Sequence, residues 1–459
     1  MSATKTLVNF CSRLSYDGLS PEVVDRVKYF AMDFLGVAVR GSLTESAKVV
    51  RNLVRDISSD AKGGVVIGTN VRAPFEYAAL ANGTASHSLE LDDVSNEASA
   101  HPGAVIFPAA IGMAELTGCD GKRFIEAVAA GYDVMLRLGK ALNPASHYAR
   151  GFHPTGTCGV FGAAMAAAKI LNLDTEKMLN ALGIAGSQAA GSMEFLTDGS
   201  WTKRLHPGWA AHSGIIAALL ARKGFTGPAT IVEGKFGFLH AYSDNPEHDK
   251  FLSGLGDSFE IMRVSVKPHA CCRYKQGPID GILKIMNENK LRAQEVEKVT
   301  LGILKVGFPI IVEPQGLKYN PQRIVDAQFS MPFGAAIAIL YGKASLDQYT
   351  LRNLESPDVK EIMGRVSCVL DPELDKAYPR RWPASVEIVT KDGRHFSTRI
   401  DYPKGDPENP LSWEELVQKF DELSSPVLSE DRRNKTISRV RSLETEENIS
   451  NLTSLLSTF

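Results

Sequence analysis

The signals of a long amphipathic helix are combined in one stretch near the start of the chain, Ser20-Pro-Glu-Val-Val-Asp-Arg-Val-Lys-Tyr-Phe-Ala-Met-Asp-Phe-Leu-Gly-Val-Ala-Val-Arg-Gly41. Ser20 is a typical N-cap residue, and Pro21 suits the first helical position, where no backbone donor is needed. Apolar residues then recur at helical spacing, and Gly41 closes the pattern. The stretch therefore predicts a buried helix near the start of the chain.

Similar helical patterns follow over the first half of the chain, at about 104–116, 124–142, 159–171, 178–190 and 209–221. Several of these segments are rich in Ala and Gly, and small side chains let neighbouring helices approach closely. Helical patterns also return from Trp413 onward. These segments predict a large helical domain.

The pattern changes near Gly254, after which Met262, Val264 and Val266 alternate with polar residues in the period of a strand. Further strands are predicted at 296–304, 385–390 and 395–401, and the last two flank Asp392-Gly393, a strong hairpin signal. Helices are predicted from Pro278 and over about 325–341. The predicted fold class is mainly α, with an all-helical domain (1–257 with 403–459) and a smaller α+β domain (258–402).

The composition excludes several classes of function. With 51 basic and 53 acidic residues, the chain lacks the positive charge that nucleic-acid binding needs. No uncharged apolar run reaches the length of about 20 residues that spans a bilayer. The six cysteines have neither disulfide-framework nor metal-site spacing, so reduced thiols and a cytoplasmic location are expected.

A first polar segment, His87-Ser-Leu-Glu-Leu-Asp-Asp93, lies between two apolar helical patterns and is followed by His101. Crowded carboxylates and imidazoles perturb each other's pKa values, as in active sites. The alternatives are a solvated turn in which Asp93 or Ser95 caps a helix, and a site for a cation.

Two further segments put ionisable side chains beside predicted helix starts. In Gly151-Phe-His153-Pro-Thr-Gly-Thr-Cys-Gly159 a histidine precedes an Ala-rich helix, and helix N-termini bind anions. A structural role for this histidine is the alternative. Lys203 and Arg204 come just before the next predicted helix, where they could hold a carboxylate or belong to an ordinary basic surface loop.

A fourth segment, Lys267-Pro-His-Ala-Cys-Cys-Arg273-Tyr-Lys275-Gln276, ends a predicted strand and leads into a helix. Strand-to-helix turns often face clefts, so these polar side chains are candidate ligands for a substrate.

Together these segments, in this order, resemble the MmgE/PrpD family. The resemblance covers nearly the whole chain and is carried by 81–87 with 91–93, His101, 151–153, Lys203-Arg204 with Gly208, 267–272, Tyr319, 326–330, 392–394 and 402–410. It implies that the α+β domain is a lid, that the active site lies between the two domains, and that the protein is a homodimer. It also implies catalysis without a metal or an organic cofactor.

The resemblance further implies the site residues. The positions that resemble the family's catalytic residues are His101, His153, Lys203 and Tyr319. Residues expected to contact the substrate are Glu90, Asp93, Arg204, Lys267, Arg273, Lys275 and Gln276. Many relatives have a histidine at the position of Gln276, and an amide there cannot act as an acid or a base.

The resulting prediction is a lyase that dehydrates a small hydroxy polycarboxylic acid, similar to 2-methylcitrate, by removing a proton next to a carboxylate. One of His101 and His153 would be the base and the other the acid, and the sequence does not say which. Decarboxylation and epimerisation need the same groups. A carboxylate-binding protein that kept the fold without catalysis, or a helical scaffold for protein interactions, is the alternative from another class.

Overall fold

The computed structural model describes residues 2–58, 63–378 and 380–458. These residues are mainly helical, which confirms the predicted class. Helices of eight or more residues are α1 (Ala3–Arg13), α2 (Pro21–Gly41), α3 (Glu45–Asp56), α4 (Phe75–Ser86), α5 (Gly103–Thr117), α6 (Gly121–Ala141), α7 (Gly159–Ile170), α8 (Thr175–Gly186), α9 (Thr202–Arg222), α10 (Gln276–Glu288), α11 (Met331–Tyr341), α12 (Pro357–Gly364), α13 (Trp413–Ser424) and α14 (Glu430–Arg441).

The first four strands have two residues each and the last four have five to eight: β1 (Gly64–Val65), β2 (Arg72–Ala73), β3 (Val94–Ser95), β4 (Val264–Ser265), β5 (Val296–Ile303), β6 (Val366–Leu370), β7 (Ala384–Thr390) and β8 (His395–Ile400). Shorter α-helical segments are Pro144–Ala149, Pro154–Thr157, Phe238–Tyr242, Asp249–Leu252, Phe308–Ile311, Gln315–Lys318, Ile324–Gln328, Leu351–Glu355, Pro372–Asp375 and Ser450–Thr453.

Backbone contacts divide the described chain into two compact units. The first comprises 1–88, 92–264 and 412–459, and the second comprises Leu89–Leu91 and Ser265–Leu411. The first unit contains α1–α9, α13 and α14, whereas the second contains α10–α12 and β5–β8.

Helix α2 forms as its sequence predicts. The side chain of Ser20 accepts a hydrogen bond from the backbone of Val23, so the first turn is capped. Most of the helix is buried, and Phe34 stacks on Phe107 of α5 at a centroid distance of 5.2 Å. The helix is therefore part of the apolar core of the first unit.

Close helix approach in the first unit depends on glycines. A Cβ on Gly83 of α4 would lie 2.6 Å from Cα of Gly208 of α9, and a Cβ on Gly208 would lie 2.2 Å from the carbonyl oxygen of Leu80. Both separations are below van der Waals contact, so side chains at these positions would push the two helices apart. Their approach brings the end of α4 beside the start of α9.

The second unit is built on a four-stranded sheet with strand order β6-β5-β7-β8. Strands β5 and β6 are parallel, and the β5–β7 and β7–β8 pairs are antiparallel. Gly393 adopts φ 84° between β7 and β8, as the Asp392-Gly393 signal predicts. Helix α10 covers the sheet, where a Cβ on Gly281 would lie 2.5 Å from Cγ2 of Val386.

Three predicted elements were wrong in extent. The helix predicted over 325–341 is broken before α11, because Ser330 caps α11 and Pro332 occupies its first turn. The strand predicted over Met262–Val266 is only Val264–Ser265. Helix α9 begins at Thr202, seven residues before the predicted start, and accommodates Pro207 in its interior.

Two findings concern the cysteines and the possible membrane helices. All six cysteines are free thiols. Among the described residues, no helix is both long enough and apolar enough to cross a membrane.

Candidate active site

Four histidines from separate segments of the first unit form a contiguous group, called here the histidine cluster: His87, His101, His153 and His206. The ring centroid of His87 lies 4.9 Å from that of His101 and 5.9 Å from that of His153. His153 in turn lies 5.2 Å from His206. Two of these residues, His101 and His153, are the histidines that the sequence predicts to be catalytic.

His87 follows α4 directly, at its C-cap position. Its Nδ1 lies 2.6 Å from Oδ2 of Asp92, and both side chains are buried. Because a carboxylate only accepts, Nδ1 of His87 carries the proton of this bond. Nε2 of His87 is buried and has no hydrogen-bond partner among the residues that the structure describes.

His101 is oriented by the turn that contains Asp92 and Asp93. Its Nδ1 lies 2.7 Å from the carbonyl oxygen of Asp93 and 3.3 Å from Oδ2 of Asp92. A carbonyl oxygen only accepts, so Nδ1 is protonated and the lone pair of the neutral ring is on Nε2. The backbone N–H of His101 donates to Oγ1 of Thr155, which links this turn to the segment that follows His153. His101 can therefore accept a proton at Nε2.

Asp93 is buried and held by hydrogen bonds within the first unit. Its carboxyl group accepts hydrogen bonds from the hydroxyl of Tyr132 at 2.8 Å and from the backbone of Gly103, the first residue of α5, at 2.9 Å. Burial raises the pKa of Asp93 well above its usual value, although these two donors oppose the shift. The interpretation of this turn as solvated is wrong, because Asp93 is buried. The expected contact of Asp93 with the start of a helix is present, since its carboxyl group accepts from the first residue of α5.

His153 occupies the N-cap position of the helical segment Pro154–Thr157, as its sequence context predicts. Its backbone N–H donates to the carbonyl of Gly191 over 2.9 Å. The pKa of His153 is lowered well below its usual value, first by burial and then by His206, His87, Lys203 and His101. His153 is therefore neutral at neutral pH.

Lys203 and Arg204 lie in the first turn of α9, and not before the helix as predicted. Lys203 lowers the pKa of both His153 and His206 through its charge, so a cation acts on the histidine cluster. Nη1 of Arg204 donates to Oγ of Ser46 over 3.2 Å. Both residues are helical and half-buried, so they do not lie in an exposed loop.

One group in the cluster has the composition of a metal site. Side-chain atoms of His87, Asp92 and His101 that could bind an ion lie within 4.8 Å of one another. However, the Nδ1 atoms of both histidines carry protons that they donate to oxygen acceptors. A metal ion would therefore have to bind the Nε2 atoms of these two histidines, and the same Nε2 lone pairs can accept protons.

In the second unit, Glu90 and Lys267 form a buried ion pair. Nζ of Lys267 lies 3.9 Å from Oε2 of Glu90, and the two side chains are 1% and 8% exposed. Glu90 adopts φ 55°, a left-handed conformation that is unusual for a residue with a side chain. This conformation and the ion pair fix the position of the Glu90 carboxylate.

Arg273, Lys275 and Gln276 are also buried with intramolecular partners. Nη2 of Arg273 lies 2.5 Å from Oδ1 of Asp406. Nζ of Lys275 donates to the carbonyl of Ala327 over 2.8 Å, and burial lowers the pKa of Lys275 to about 8. These contacts account for the burial of both cations, and their predicted role in substrate binding stays a prediction.

Gln276 closes the turn that precedes α10. Its Oε1 accepts from the backbone N–H of His269 at 3.2 Å, and its Nε2 donates to the carbonyls of His269 and Cys271 at 3.0 and 3.2 Å. The amide thus supplies both a donor and an acceptor to one turn. A histidine side chain cannot form this set of bonds with the same geometry.

Tyr319 lies at the C-cap of the segment Gln315–Lys318. Its hydroxyl donates to the carbonyl of Val366 in β6 over 2.8 Å. Burial raises the pKa of Tyr319 to about 12. The hydroxyl therefore keeps its proton, and its predicted catalytic role stays a prediction.

The sequence did not single out His87, Asp92 and His206 as site residues. A signal existed for each, because His87 and Asp92 belong to the first polar segment and His206 follows Lys203 at the spacing of one helical turn. What the sequence could not supply was the approach of α4 to α9, which brings these residues together.

The fold and the site thus define a mainly helical protein with a contiguous group of buried and half-buried imidazoles on which the charge of a lysine acts. The chain belongs to the MmgE/PrpD family, since the N-terminal domain of that family matches residues 5–250 and the C-terminal domain matches residues 269–445. This confirms the family expected from the sequence.

Curated relatives match this chain over 99% of its length. The chain is 26% identical to the cis-aconitate decarboxylase-like protein oryM of Aspergillus oryzae, of which 97% is covered. It is 26% identical to the cis-aconitate decarboxylase of Aspergillus terreus (95% covered) and 27% identical to that of Homo sapiens (94% covered). Family and relatives identify the chain as an enzyme of the lyase type.

Proposed function

We propose that this chain is a lyase of small polycarboxylates that uses its histidine cluster to transfer protons, and that its reaction is a decarboxylation. The observation that carries the proposal is that the rings of His101 and His153 both contact the ring of His87, with the charge of Lys203 acting on His153. The names of the relatives support decarboxylation of an acid similar to cis-aconitate.

Positive charge is the first requirement of this reaction. A polycarboxylate carries several negative charges, and charge also develops on carbon during the reaction. Fixed cations in a site with little water stabilise such charge far better than solvent does. In this proposal Lys203, with Arg204 in the same helical turn, holds the substrate carboxylates.

The chemical step breaks the carbon–carbon bond to one carboxylate, and carbon dioxide leaves. The electron pair remains on carbon, where a neighbouring unsaturated carboxylate group delocalises it, and a histidine N–H then supplies the proton. His153 is the proposed donor, because the neutral tautomer of His101 has its lone pair on Nε2 and so accepts. Such general acid catalysis typically contributes about 10²- to 10⁴-fold.

Dehydration, the reaction expected first from the sequence, needs the same groups in a different order. Nε2 of His101 would remove the proton next to a carboxylate, and His153 would protonate the departing hydroxyl group. This reaction and epimerisation stay predictions, and the experiment below distinguishes them from decarboxylation.

Several further predictions belong to the proposal. Tyr319 is proposed as an additional proton donor, and Glu90, Asp93, Lys267, Arg273, Lys275 and Gln276 as groups that shape or bind the substrate. The reaction is proposed to need no organic cofactor and no metal. A homodimeric state, a cytoplasmic location and the role of the second unit as a lid also stay predictions.

The test incubates the purified protein with cis-aconitate, citrate, 2-methylcitrate and other di- and tricarboxylic acids and identifies products by mass spectrometry. Release of carbon dioxide supports decarboxylation, a loss of water shows dehydration, and solvent exchange without net change shows epimerisation. Turnover should disappear in H153Q and K203M but persist in H212F, which changes a histidine elsewhere on α9. A shift of the melting temperature by these acids without any conversion would show a binding protein instead.

A further inference from the structure

The contact between His153 and His206 is not used in the mechanism above. Their Nδ1 atoms lie 3.0 Å apart, which is hydrogen-bonding distance. His206 lies in α9, one turn after Lys203, whereas His153 precedes the helical segment Pro154–Thr157. The bond therefore joins two segments of the first unit through their imidazole rings.

The direction of this hydrogen bond determines the tautomer of His153. A hydrogen bond between two Nδ1 atoms requires that one of them carries the proton and the other presents a lone pair. Burial, followed by the charges of His87 and Lys203, lowers the pKa of His206 to about 4, so His206 is neutral at neutral pH like His153. If His206 donates, the proton of neutral His153 is on Nε2. If His153 donates, its Nε2 has the lone pair.

We propose that His206 is a positioning residue that donates its Nδ1 proton to Nδ1 of His153 and thereby keeps the proton of neutral His153 on Nε2, ready for delivery to the substrate. This inference rests on the proposed function, in which His153 is the proton donor. His206 thus determines which nitrogen of the His153 ring carries the proton, although His206 itself does not touch the reacting carbon.

The protons balance over one turnover. Nε2 of His153 gives its proton to a carbon that shares the electron pair left by carbon dioxide, and the proton on Nδ1 of His206 moves to Nδ1 of His153. Nε2 of the half-buried His206 then takes a proton from solvent. Both rings end neutral with their tautomers exchanged, and a second exchange with solvent restores the starting state. The net change is one solvent proton on carbon.

The surroundings favour this neutral route. The groups whose charges act on the His153–His206 pair are Lys203, His87 and His101, each of which is a cation when protonated. An imidazolium ion among them would be repelled, whereas a shift between neutral tautomers creates no charge.

Packing holds the two rings in place. Phe195 contacts both rings edge-on, at centroid distances of 6.2 Å to His153 and 6.0 Å to His206. A Cβ on Gly156 would lie 3.3 Å from Cβ of His206 and 2.4 Å from the carbonyl oxygen of Ala190, so this close approach needs a glycine. The pair is therefore preorganised by the fold.

A kinetic experiment compares H206F, which keeps a ring but removes the donor, with H206N, whose amide N–H can replace Nδ1. H212F is the matched control, because the buried Nδ1 of His212 has no hydrogen-bond partner among the described residues. We expect kcat of H206F to fall by about 10²-fold with KM unchanged, and H206N to recover most of it. The acidic limb of the kcat profile of H206F should move to higher pH, because the charge that His206 acquires in the acid range, which lowers the pKa of His153, is lost. Wild-type kcat in H206F, or no recovery in H206N, would overturn the inference.

A second measurement does not depend on turnover. In protein labelled with ¹⁵N-histidine, NMR should show one hydrogen-bonded imidazole N–H proton that is present in wild type and H212F and absent in H206F. If this signal is found but no polycarboxylate is converted, the proposed function fails while the hydrogen bond stands. If conversion occurs and the signal is missing, the inference about His206 fails while the proposed function stands.

Discussion

Nδ1 of His87 donates a hydrogen bond to Oδ2 of Asp92 over 2.6 Å, and the same carboxylate oxygen lies 3.3 Å from Nδ1 of His101. One buried carboxylate therefore faces two imidazoles of the histidine cluster. Its position holds both rings in the tautomer that carries the proton on Nδ1.

Replacing Asp92 with Asn removes the charge of this carboxylate and keeps the shape of the side chain. We expect kcat to fall by between about 10-fold and about 10⁴-fold, the upper figure being typical when an orienting carboxylate in a triad becomes an amide. The thermal unfolding midpoint should change much less than in a core cavity variant. D198N, at an exposed position, is the control. Wild-type kcat in D92N would show that the carboxylate does not support proton transfer.

Lys203 is predicted to set the protonation of the cluster as well as to hold substrate. Because its charge contributes to the lowered pKa of His206, the K203M variant should show a pKa of His206 above the value of about 4. NMR titration of the imidazole Cε1–H signals measures this shift without any substrate. K223M, which changes a lysine at the other end of α9, should leave the titration as in wild type. An unchanged His206 titration in K203M contradicts the placement of the charge.

His147 predicts an acid-dependent contribution to stability. Its Nδ1 lies 2.8 Å from the carbonyl oxygen of Tyr242 and its Nε2 lies 2.8 Å from Oγ1 of Thr157, and burial lowers its pKa to about 4. In the unfolded chain the imidazole of His147 has its usual pKa near 6.5, so between about pH 4 and about pH 6.5 it binds more protons than in the folded chain. Stability is therefore lost as the pH falls from about 6.5 to about 4.

The H147F variant tests this contribution. It should be less stable than wild type at pH 7, and the difference in unfolding free energy should shrink on acidification by up to about 1.4 kcal/mol per pH unit in this window. Denaturant titrations at several pH values measure it. A difference that is independent of pH would mean that His147 titrates normally.

The approach of α4 to α9 is predicted to depend on Gly208. In G208A the new Cβ would lie 2.2 Å from the carbonyl oxygen of Leu80 and 2.7 Å from Oγ1 of Thr84. Overpacking of this kind typically costs about 1–3 kcal/mol. G364A is the matched control, because nothing lies within 4 Å of a Cβ at that position. Calorimetry should show a lower melting temperature for G208A only, and equal values for both variants would refute the tight contact.

Gln276 is predicted to act on stability through its turn. Q276L leaves the backbone N–H of His269 and the carbonyls of His269 and Cys271 without this amide partner. A buried polar group that loses its partner costs about 1–3 kcal/mol. Q322L, a change at an exposed position, should have little effect on stability. Thermal unfolding of both variants measures the difference, and full stability of Q276L would contradict the role of the amide.

The helical part of the fold could be predicted from local signals. Ser20, Pro21 and the apolar spacing after them specify α2, and Asp392-Gly393 specifies the β7–β8 hairpin, because both depend on neighbours in sequence. The extent of α9 could not be predicted in this way. Pro207 suggests a later start, yet α9 begins at Thr202 and continues through Pro207, and Gly208 packs closely on Leu80 of α4.

The site was predictable only in part for the same reason. His101, His153 and Lys203 lie in segments whose composition and family resemblance indicate chemistry. The partners of these residues depend on distant contacts, such as Nδ1 of His206 with His153, and no sequence spacing encodes them. The intramolecular partners of buried cations, such as Asp406 for Arg273, could not be predicted from the sequence either.

The origin of the proton in the product is the most direct test of proton delivery by the histidine cluster. Wild-type protein, H153Q and H212F are incubated with cis-aconitate in deuterium oxide, and products are examined by mass spectrometry and NMR. We expect wild type and H212F to release one carbon dioxide per product molecule and to place one deuterium on a carbon that shares the electron pair left by carbon dioxide, and H153Q to form no product. Product formation by H153Q at the wild-type rate, or no conversion by any of the three proteins, would contradict this mechanism.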